Sequence, residues 1–315
     1  MNVVKIGVVG VGNMGSYHCQ KLKGMKNVDL IGVYDPDFQK ANTIGNKLSV
    51  NVYPTYQELL MHVDAVIIAA PTKFHFSLAK EAIQLDKHLF VEKPIAVSLE
   101  ETSKLKELQN KKNIILQVGH IERFNPVVGQ LKKLVEEDQI IFMEAKRLGL
   151  SSRIKDVDVV LDVMIHDIDI VLSLVRSPII DISAAGVCFN MKGNYDYVTA
   201  LLTFENGIIS SLVASNISHE KERTLIITEK ERMIKTDYLS RQQLIVKNTA
   251  ANPICKSGYP TEFLMEKIAI QIADPLTQEL EHFVECIQHN KQPEVSLKEG
   301  EAALEVALKI KSCLQ

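Results

Sequence analysis

Two patterns of apolar and polar positions alternate along the first 120 residues of the chain. Short, almost continuously apolar runs predict buried strands, and the amphipathic stretches between them predict helices. Parallel strands covered by helices on both faces have this pattern, so we expect an α/β domain with a doubly wound parallel sheet. The predicted strands are 3–9, 28–35, a short one near Val52, 64–70, 88–93 and 114–120, and predicted helices lie after the first strand and near 37–48, 74–85 and 98–110.

The pattern changes after residue 126, where predicted strands begin to follow one another without helices between them. Such a run favours a largely antiparallel sheet, and Asn206-Gly207 is a hairpin turn sequence. We therefore expect two domains, residues 1–122 and residues 123–315. The second contains predicted helices near 126–136, 159–175, 274–290 and 298–313 and predicted strands at 139–148, 181–189, 197–204, 208–214, 224–228 and 242–246.

A glycine-rich loop joins the first strand to the first helix. Its glycines are Gly10, Gly12 and Gly15, with Asn13 and Met14 between the last two. The first glycine allows a tight turn, the second lets the backbone approach a pyrophosphate, and the third lets the helix pack on the strand. The loop predicts a dinucleotide site at the helix N-terminus, and the alternative is a turn in an unrelated α/β protein.

Asp35 ends the second strand, twenty residues beyond Gly15. A carboxylate at this position accepts hydrogen bonds from the ribose hydroxyls and repels a 2′-phosphate, and no arginine stands in 36–39. NAD is therefore favoured over NADP. The alternative is that Asp35 caps the helix that begins near Asp37.

Composition limits the classes of function. With a net charge of −3 and no long basic tract, the chain does not resemble a protein that binds nucleic acid or an anionic membrane surface. No apolar run approaches the length of a membrane span, and no charged leader precedes the first strand, so we expect a cytoplasmic location. The five cysteines are scattered, without a Cys-x-x-Cys pair, and are interpreted as reduced structural thiols.

Polar residues follow the predicted fourth and fifth strands. Thr72 and His75 come just after the fourth strand, and Glu92-Lys93-Pro94 ends the fifth. Ligands bind beyond the carboxyl ends of strands in such sheets, so we expect Thr72, His75, Glu92 and Lys93 to contact the cofactor. Lys93 is also a candidate catalytic residue, and the alternative is a solvated lysine at a strand end.

The predicted helix over 159–175 carries a second group of chemical residues. Asp162 and His166 are four apart, so an α-helix places them on one face, and Asp169 follows three residues later. A carboxylate one turn from an imidazole fixes its tautomer and stabilises the imidazolium, as in a general base. A solvated acidic face and a metal site are the alternatives. The intervening apolar residues disfavour the first, and no second histidine at ligand spacing supports the second, so no metal is expected.

Taken together, the glycine loop, Glu92-Lys93-Pro94 and Asp162-x-x-x-His166 resemble, in order and placement, the Gfo/Idh/MocA oxidoreductases over essentially the whole chain. The resemblance implies a Rossmann domain joined to an α/β domain with an open antiparallel sheet, whose exposed face commonly mediates homodimers or homotetramers. It also implies NAD(P)-dependent oxidation or reduction at a carbon of a sugar, a cyclitol or a related compound.

Three shorter stretches, 119–126, 146–149 and 236–240, resemble the branch that acts on nucleotide sugars, particularly UDP-N-acetylglucosamine 3-dehydrogenases. Many relatives carry an asparagine- and arginine-rich segment where residues 120–122 stand here. Arginines suit a diphosphate because they are planar, charged donors, so Arg123, Arg147 and Arg153 are candidate substrate ligands. The proposed base His166 and its partner Asp162 complete the set of candidate substrate ligands. The alternative for the arginines is an ordinary surface position.

The resulting hypothesis is a substrate bound in a cleft between the domains. His166, oriented by Asp162, removes the proton of the C3 hydroxyl as hydride leaves to NAD, and Lys93 stabilises the alkoxide or shares the role of base. The alternatives are a cyclitol or free-sugar dehydrogenase of the same family, a non-catalytic dinucleotide-binding regulator, and a methyltransferase with a similar glycine loop.

Overall fold

The computed structural model describes residues 3–150, 158–189, 193–248, 263–271 and 273–314. The chain divides into two compact units. The first unit comprises Met1–Phe124 and Asp274–Glu305, and the second comprises Asn125–Ala273 and Val306–Gln315.

The first unit contains a six-stranded parallel sheet. Its strands are β1 (Val4–Val9), β2 (Val28–Tyr34), β3 (Asn51–Val52), β4 (Ala65–Ile68), β5 (His88–Glu92) and β6 (Leu116–Gly119), in the order β3-β2-β1-β4-β5-β6. The order reverses between β1 and β4, which is the switch point where doubly wound sheets bind ligands. The expected doubly wound parallel sheet is confirmed.

Helices α1 (Asn13–Lys23), α2 (Phe38–Leu48), α3 (Tyr56–His62), α4 (His75–Gln84) and α5 (Leu99–Gln109) connect these strands. α3 was not expected, because its seven residues are too few to show a helical period. Its N-terminus is nevertheless capped, since the Thr55 hydroxyl accepts a hydrogen bond from the Glu58 amide.

The second unit contains a mainly antiparallel sheet of eight strands. Helix α6 (Pro126–Leu134) precedes β7 (Ile140–Leu150), and a turn of π-helix at Val160–Met164 leads into α7 (Ile165–Leu174). The other strands are β8 (Ile179–Val187), β9 (Tyr197–Phe204), β10 (Ile209–Ser215), β11 (Ile217–Glu229), β12 (Arg232–Asp237), β13 (Gln242–Asn248) and β14 (Phe263–Ile268), and the order is β14-β13-β12-β11-β7-β10-β9-β8. The α/β class with a second, largely antiparallel sheet is confirmed.

The details of this sheet differ from the expectation in three ways. β7 and β10 pair in parallel, β12 and β14 are additional strands, and β11 begins seven residues before the predicted strand. The early part of β11 contains the polar stretch 218–223, half of which is exposed, so it lacks the apolar alternation from which a strand is predicted. The predicted hairpin at Asn206-Gly207 is confirmed, with Gly207 at φ +85° between the antiparallel β9 and β10.

The last two helices are α8 (Pro275–His289) and α9 (Leu297–Cys313). α8 belongs to the first unit, where Leu280, Phe283 and Val284 are fully buried in the same core as β1 and β5. The Phe283 ring meets Phe90 edge-on, with 5.8 Å between the ring centroids. The division expected from the sequence, 1–122 and 123–315, differs from these units because Asp274–Glu305 returns to the first core.

In the described part of the chain, no helix combines the length and the apolar character that crossing a bilayer requires.

Candidate active site

The glycine loop in the first unit has the geometry that the three glycines predict. Gly10 has φ +81°, and a Cβ there would lie 2.7 Å from the Ala70 nitrogen. A Cβ on Gly15 would lie 1.8 Å from the Gly10 oxygen, whereas a Cβ on Gly12 would meet nothing within 4 Å. Gly10 and Gly15 are therefore required by turn and packing, and Gly12 borders the open space that a pyrophosphate would enter.

The N-terminus of α1 presents its amides to the same space. Gly12 is the capping residue and makes no side-chain cap, so the first turn, with the exposed Asn13 and the half-buried Met14, keeps its amides for an anion. The helix dipole adds positive potential at this end. These residues fit a dinucleotide pyrophosphate.

Asp35 links the glycine loop to the loop that follows β2. Its Oδ2 accepts a hydrogen bond from the Val11 amide at 2.8 Å, and its Oδ1 accepts one from the Asp37 amide at 2.9 Å. Asp37, and not Asp35, caps α2, by accepting from the Lys40 amide. A carboxylate has about four acceptor positions, so the half-buried Asp35 keeps acceptor capacity for ribose hydroxyls.

Thr72 and His75 lie beyond the end of β4. Thr72 begins a turn of 3-10 helix and is 7% exposed, and His75 is the first residue of α4 and 1% exposed. The His75 ring lies between two carbonyl oxygens, with Nδ1 at 2.8 Å from that of Pro94 and Nε2 at 2.8 Å from that of Ala70. The ring thus ties the chain after β4 to the chain after β5. Contact of Thr72 or His75 with a cofactor stays a prediction.

Glu92, at the end of β5, is buried against α1. Its Oε1 lies 2.6 Å from Nε2 of the fully buried His18, whose ring also meets Phe90 edge-on. Burial raises the pKa of Glu92, but the hydrogen bond and charge of His18 and the charges of Lys93 and His75 outweigh burial, so this pKa lies below its ordinary value. Lys93 follows at the strand end and is half-buried.

In the second unit, Asp162 and His166 occupy the start of the helix that was predicted over 159–175. The first turn is a π-turn, which differs from the regular α-helix that the spacing argument assumed, and such turns frequently occur at functional sites. Asp158 caps it, because its Oδ1 accepts from the Val160 and Leu161 amides at 3.1 and 3.2 Å. Asp162 and His166 are both half-buried, and Nδ1 of His166 is buried.

Arg147 and Asp167 form a buried ion pair under this helix. The guanidinium donates from Nε and Nη2 to the two carboxylate oxygens at 2.9 and 2.8 Å, and the side chains are only 4% and 3% exposed. The guanidinium also lies over the Tyr238 ring, 5.4 Å from its centroid. This geometry favours an anchoring role for Arg147, and its predicted contact with substrate stays a prediction.

The other two candidate arginines differ in what the structure describes. Arg123 is 7% exposed and lies 3.9 Å from the Glu294 carboxylate, both in the first unit. Arg153 lies outside the described residues. Among the residues that the structure describes, no cluster of three or more histidine, cysteine or acidic side chains could hold a metal ion.

Two family models match the chain in agreement with this geometry. Residues 4–120 match the GFO_IDH_MocA model, described as an oxidoreductase family with an NAD-binding Rossmann fold, and residues 151–234 match the GFO/IDH/MocA C-terminal domain. UDP-N-acetylglucosamine 3-dehydrogenase of Acidithiobacillus ferrooxidans is 30% identical to the chain, over 99% of the chain and 97% of that enzyme. The chain belongs to the GFO/IDH/MocA oxidoreductase family.

Other comparisons agree with this membership. A solved structure of the same Acidithiobacillus ferrooxidans enzyme superposes with a TM-score of 0.91 at 30% identity, covering 100% of this chain and 98% of that one. Scyllo-inositol 2-dehydrogenase (NAD(+)) of Bacillus subtilis is 26% identical over 97% of the chain and 92% of that protein. The predicted NAD-binding Rossmann domain and the predicted dehydrogenase class are confirmed for this GFO/IDH/MocA member.

Several residues that shape the site in this family member were missed by sequence reasoning. His18 stands three positions after Gly15, and this helical spacing was the available signal that it faces the sheet. Asp158 precedes an apolar run, as capping residues do. Asp167 is adjacent to His166, but its partner Arg147 lies twenty residues away, and no local pattern predicts that pairing.

Proposed function

We propose that this GFO/IDH/MocA member oxidises a secondary hydroxyl of a sugar with NAD, and that the substrate carbon is C3 of a UDP-N-acetyl-hexosamine. The full-length likeness to the Acidithiobacillus ferrooxidans enzyme, in sequence and in structure, carries the choice of substrate. A cyclitol is the second candidate, because the Bacillus subtilis inositol dehydrogenase also matches along nearly the whole chain, at 26% identity.

The glycine loop and Asp35 support the cofactor part of the proposal. The open space beside Gly12 and the uncapped amides of α1 suit a pyrophosphate, and Asp35 suits the adenosine ribose of NAD. NAD held there would supply the acceptor for the hydride that leaves the substrate carbon.

We assign the proton transfer to His166. The buried Nδ1 suits a ring whose tautomer is fixed from the protein side, and we assign Nε2 as the nitrogen that meets a substrate hydroxyl. Asp162, one turn earlier, stabilises the imidazolium that forms. Lys93 supplies positive charge for the developing alkoxide oxygen.

The first experiment mixes the purified full-length chain and NAD with a panel of UDP-N-acetylglucosamine, its uronate, free hexoses and inositols, and follows NADH absorbance. NADH formed only with the UDP-sugars supports the proposal. Activity with an inositol or a hexose instead contradicts the proposed substrate and still supports the dehydrogenase class. If NADH oxidation in the reverse direction is also absent while NAD binds, a non-catalytic regulator replaces the proposal.

His166→Ala tests the assignment of the base. A positioned general base contributes roughly 10²- to 10⁴-fold, so turnover should fall by that factor while NAD affinity, measured by calorimetry, stays near wild type. His219→Ala is the matched control, since His219 is exposed on β11 of the same unit and should leave turnover unchanged. Unchanged turnover in His166→Ala would remove His166 from the mechanism.

We also propose a homodimer or homotetramer formed through the eight-stranded sheet, and a cytoplasmic location. The pairing register places apolar side chains on one face of this sheet, including Leu201 at 39% exposure and Met265 at 69%. Leu201→Glu should lower the mass measured by sedimentation if this face is the interface. The four cysteines in the described ranges are free thiols, which suits a reducing compartment.

A further inference from the structure

His75 makes two hydrogen-bond contacts that a neutral imidazole cannot satisfy together. Nδ1 lies 2.8 Å from the Pro94 carbonyl oxygen, and Nε2 lies 2.8 Å from the Ala70 carbonyl oxygen. A carbonyl oxygen only accepts, so each ring nitrogen must carry a hydrogen to bond to it. Neutral histidine has one N–H and histidinium has two, and only the charged ring donates to both carbonyls.

Two other histidines of the first unit have the opposite kind of partner. Nδ1 of His88 accepts the Ile115 amide hydrogen at 2.9 Å, and Nε2 of His282 accepts that of Glu294 at 3.0 Å. A ring nitrogen that accepts carries no hydrogen, so both rings are neutral. Burial also lowers the pKa of His88 and His282. His75 is thus distinguished by its partners, and the other two are internal controls.

Some groups around His75 disfavour a positive charge on its ring, and others favour it. Burial and the N-terminus of α4 disfavour a cation, as does the ammonium of Lys93. Two hydrogen bonds from a charged donor, each about twice as strong as a neutral one, favour it. The buried Glu92 carboxylate favours it as well, because a positive charge on His75 and the negative charge of Glu92 would stabilise each other. His18 faces the same carboxylate from α1.

We propose that His75 is an imidazolium at neutral pH, and that it acts as a positioning residue which holds the chain after β4 to the chain after β5. The Pro94 carbonyl that it holds directly follows Lys93, so the charged ring fixes the backbone that carries the lysine. Loss of either ring proton leaves a lone pair facing a carbonyl oxygen, which is repulsive. The link is therefore complete at neutral pH and weakens when alkaline pH deprotonates the ring.

Nitrogen NMR of the histidine rings tests the charge without substrate or turnover. At about pH 7.5, a histidine with an ordinary pKa of about 6.5 is roughly nine-tenths neutral. We expect both ring nitrogens of His75 to give the signals of protonated nitrogens at this pH, and His88 and His282 each to show one unprotonated nitrogen. An unprotonated nitrogen in His75 at this pH would overturn the proposal.

The His75 signals can be assigned in two ways. They should disappear in His75→Gln, and Phe74-His75 is the only Phe-His pair in the chain. Carbonyl-13C phenylalanine combined with 15N,13C histidine therefore identifies the His75 amide in the unsubstituted protein, and through-bond transfer then reaches its ring. The second route keeps the test decisive if the variant does not fold.

The positioning role has its own readout, which rests on the proposed function. A displacement of about 1 Å at a reacting group costs up to roughly a hundredfold, so His75→Gln should lower turnover tenfold to a hundredfold at neutral pH. The ratio of wild-type to variant turnover should then shrink as pH rises, because the wild-type ring loses its charge. His62→Gln, at an exposed site in the same unit, is the control.

The outcomes separate the two proposals. A charged His75 with a pH-dependent turnover ratio supports both the charge and the role. A charged His75 with a constant ratio overturns the positioning role alone. A charged His75 in a protein without dehydrogenase activity overturns the proposed function and leaves the charge assignment intact.

Discussion

Replacing Asp167 with alanine removes the acceptor of two hydrogen bonds from Arg147. The Arg147 side chain is 4% exposed, so its charge stays in the interior without that carboxylate. Breaking a buried pair in this way costs about 3–5 kcal/mol. For a domain of roughly 150–250 residues, each kcal/mol lowers Tm by about 2–4 °C, so the transition of the second unit should fall by roughly 6–20 °C in scanning calorimetry.

The end of α8 provides an exposed ion pair for comparison. Lys291 Nζ lies 3.3 Å from Glu285 Oε1, and these side chains are 63% and 56% exposed. Solvent screens such pairs, so Glu285→Ala should cost at most about 1 kcal/mol, and added salt should reduce that cost further. Asp167→Ala and Glu285→Ala thus compare a buried and an exposed ion pair.

A double variant distinguishes loss of the pair from loss of volume. Arg147→Met combined with Asp167→Leu replaces both charges with apolar groups, and such replacements are often neutral or stabilising. It should recover most of the stability that Asp167→Ala loses. The reasoning is refuted if Asp167→Ala costs less than about 1 kcal/mol, or if the double variant is as unstable as the single one. An unchanged substrate KM in the double variant would limit Arg147 to anchoring, and a raised KM would support substrate contact.

Three further predictions concern the first unit. Gly15→Ala should destabilise the protein by roughly 1–3 kcal/mol or more in urea unfolding, because its Cβ would overlap the Gly10 oxygen. Gly12→Ala should change stability by less than about 0.5 kcal/mol and still weaken NAD binding. Equal losses of stability in the two variants would contradict this reasoning. Asp35→Ser should lower kcat/KM for NAD relative to kcat/KM for NADP, and an unchanged ratio of the two would contradict the proposed contact of Asp35 with the ribose. Because the pKa of Glu92 is lowered in the fold, its carboxylate stabilises the protein above the unfolded pKa of about 4.3 and loses this effect as pH falls through the folded pKa. Wild type should therefore be more stable than Glu92→Gln at neutral pH, and the difference should close in acid; a gap that persists in acid would contradict the sign.

The parts of the site that were predictable are those in which the contacts are local. The roles of Gly10 and Gly15 follow from steric limits within one turn, and the structure shows both limits, whereas the approach of a pyrophosphate at Gly12 stays a prediction. Asp35 was predicted at the correct strand end, but its hydrogen bond with the Val11 amide depends on β1 and β2 being neighbours. Sequence spacing alone does not report that adjacency.

The parts that were not predictable depend on which elements meet. The period of α8 identifies a helix with an apolar face but not the core that receives Leu280 and Phe283. Likewise, Arg147 has the same local pattern whether it faces solvent or Asp167, because the difference is set by how α7 lies on the sheet. The π-turn before His166 depends on hydrogen bonding that residue type does not specify.

The return of α8 to the first unit has a consequence for the order of synthesis. A ribosome completes residues 1–124 long before Phe283 is made, so the emerging Rossmann segment lacks the ring that packs against Phe90. Domains generally fold as units during synthesis, and exposed apolar surface at this stage favours aggregation. Residues 1–124 should therefore need chaperone protection until Phe283 has emerged, and a fragment that stops at residue 124 should be poorly folded when expressed alone.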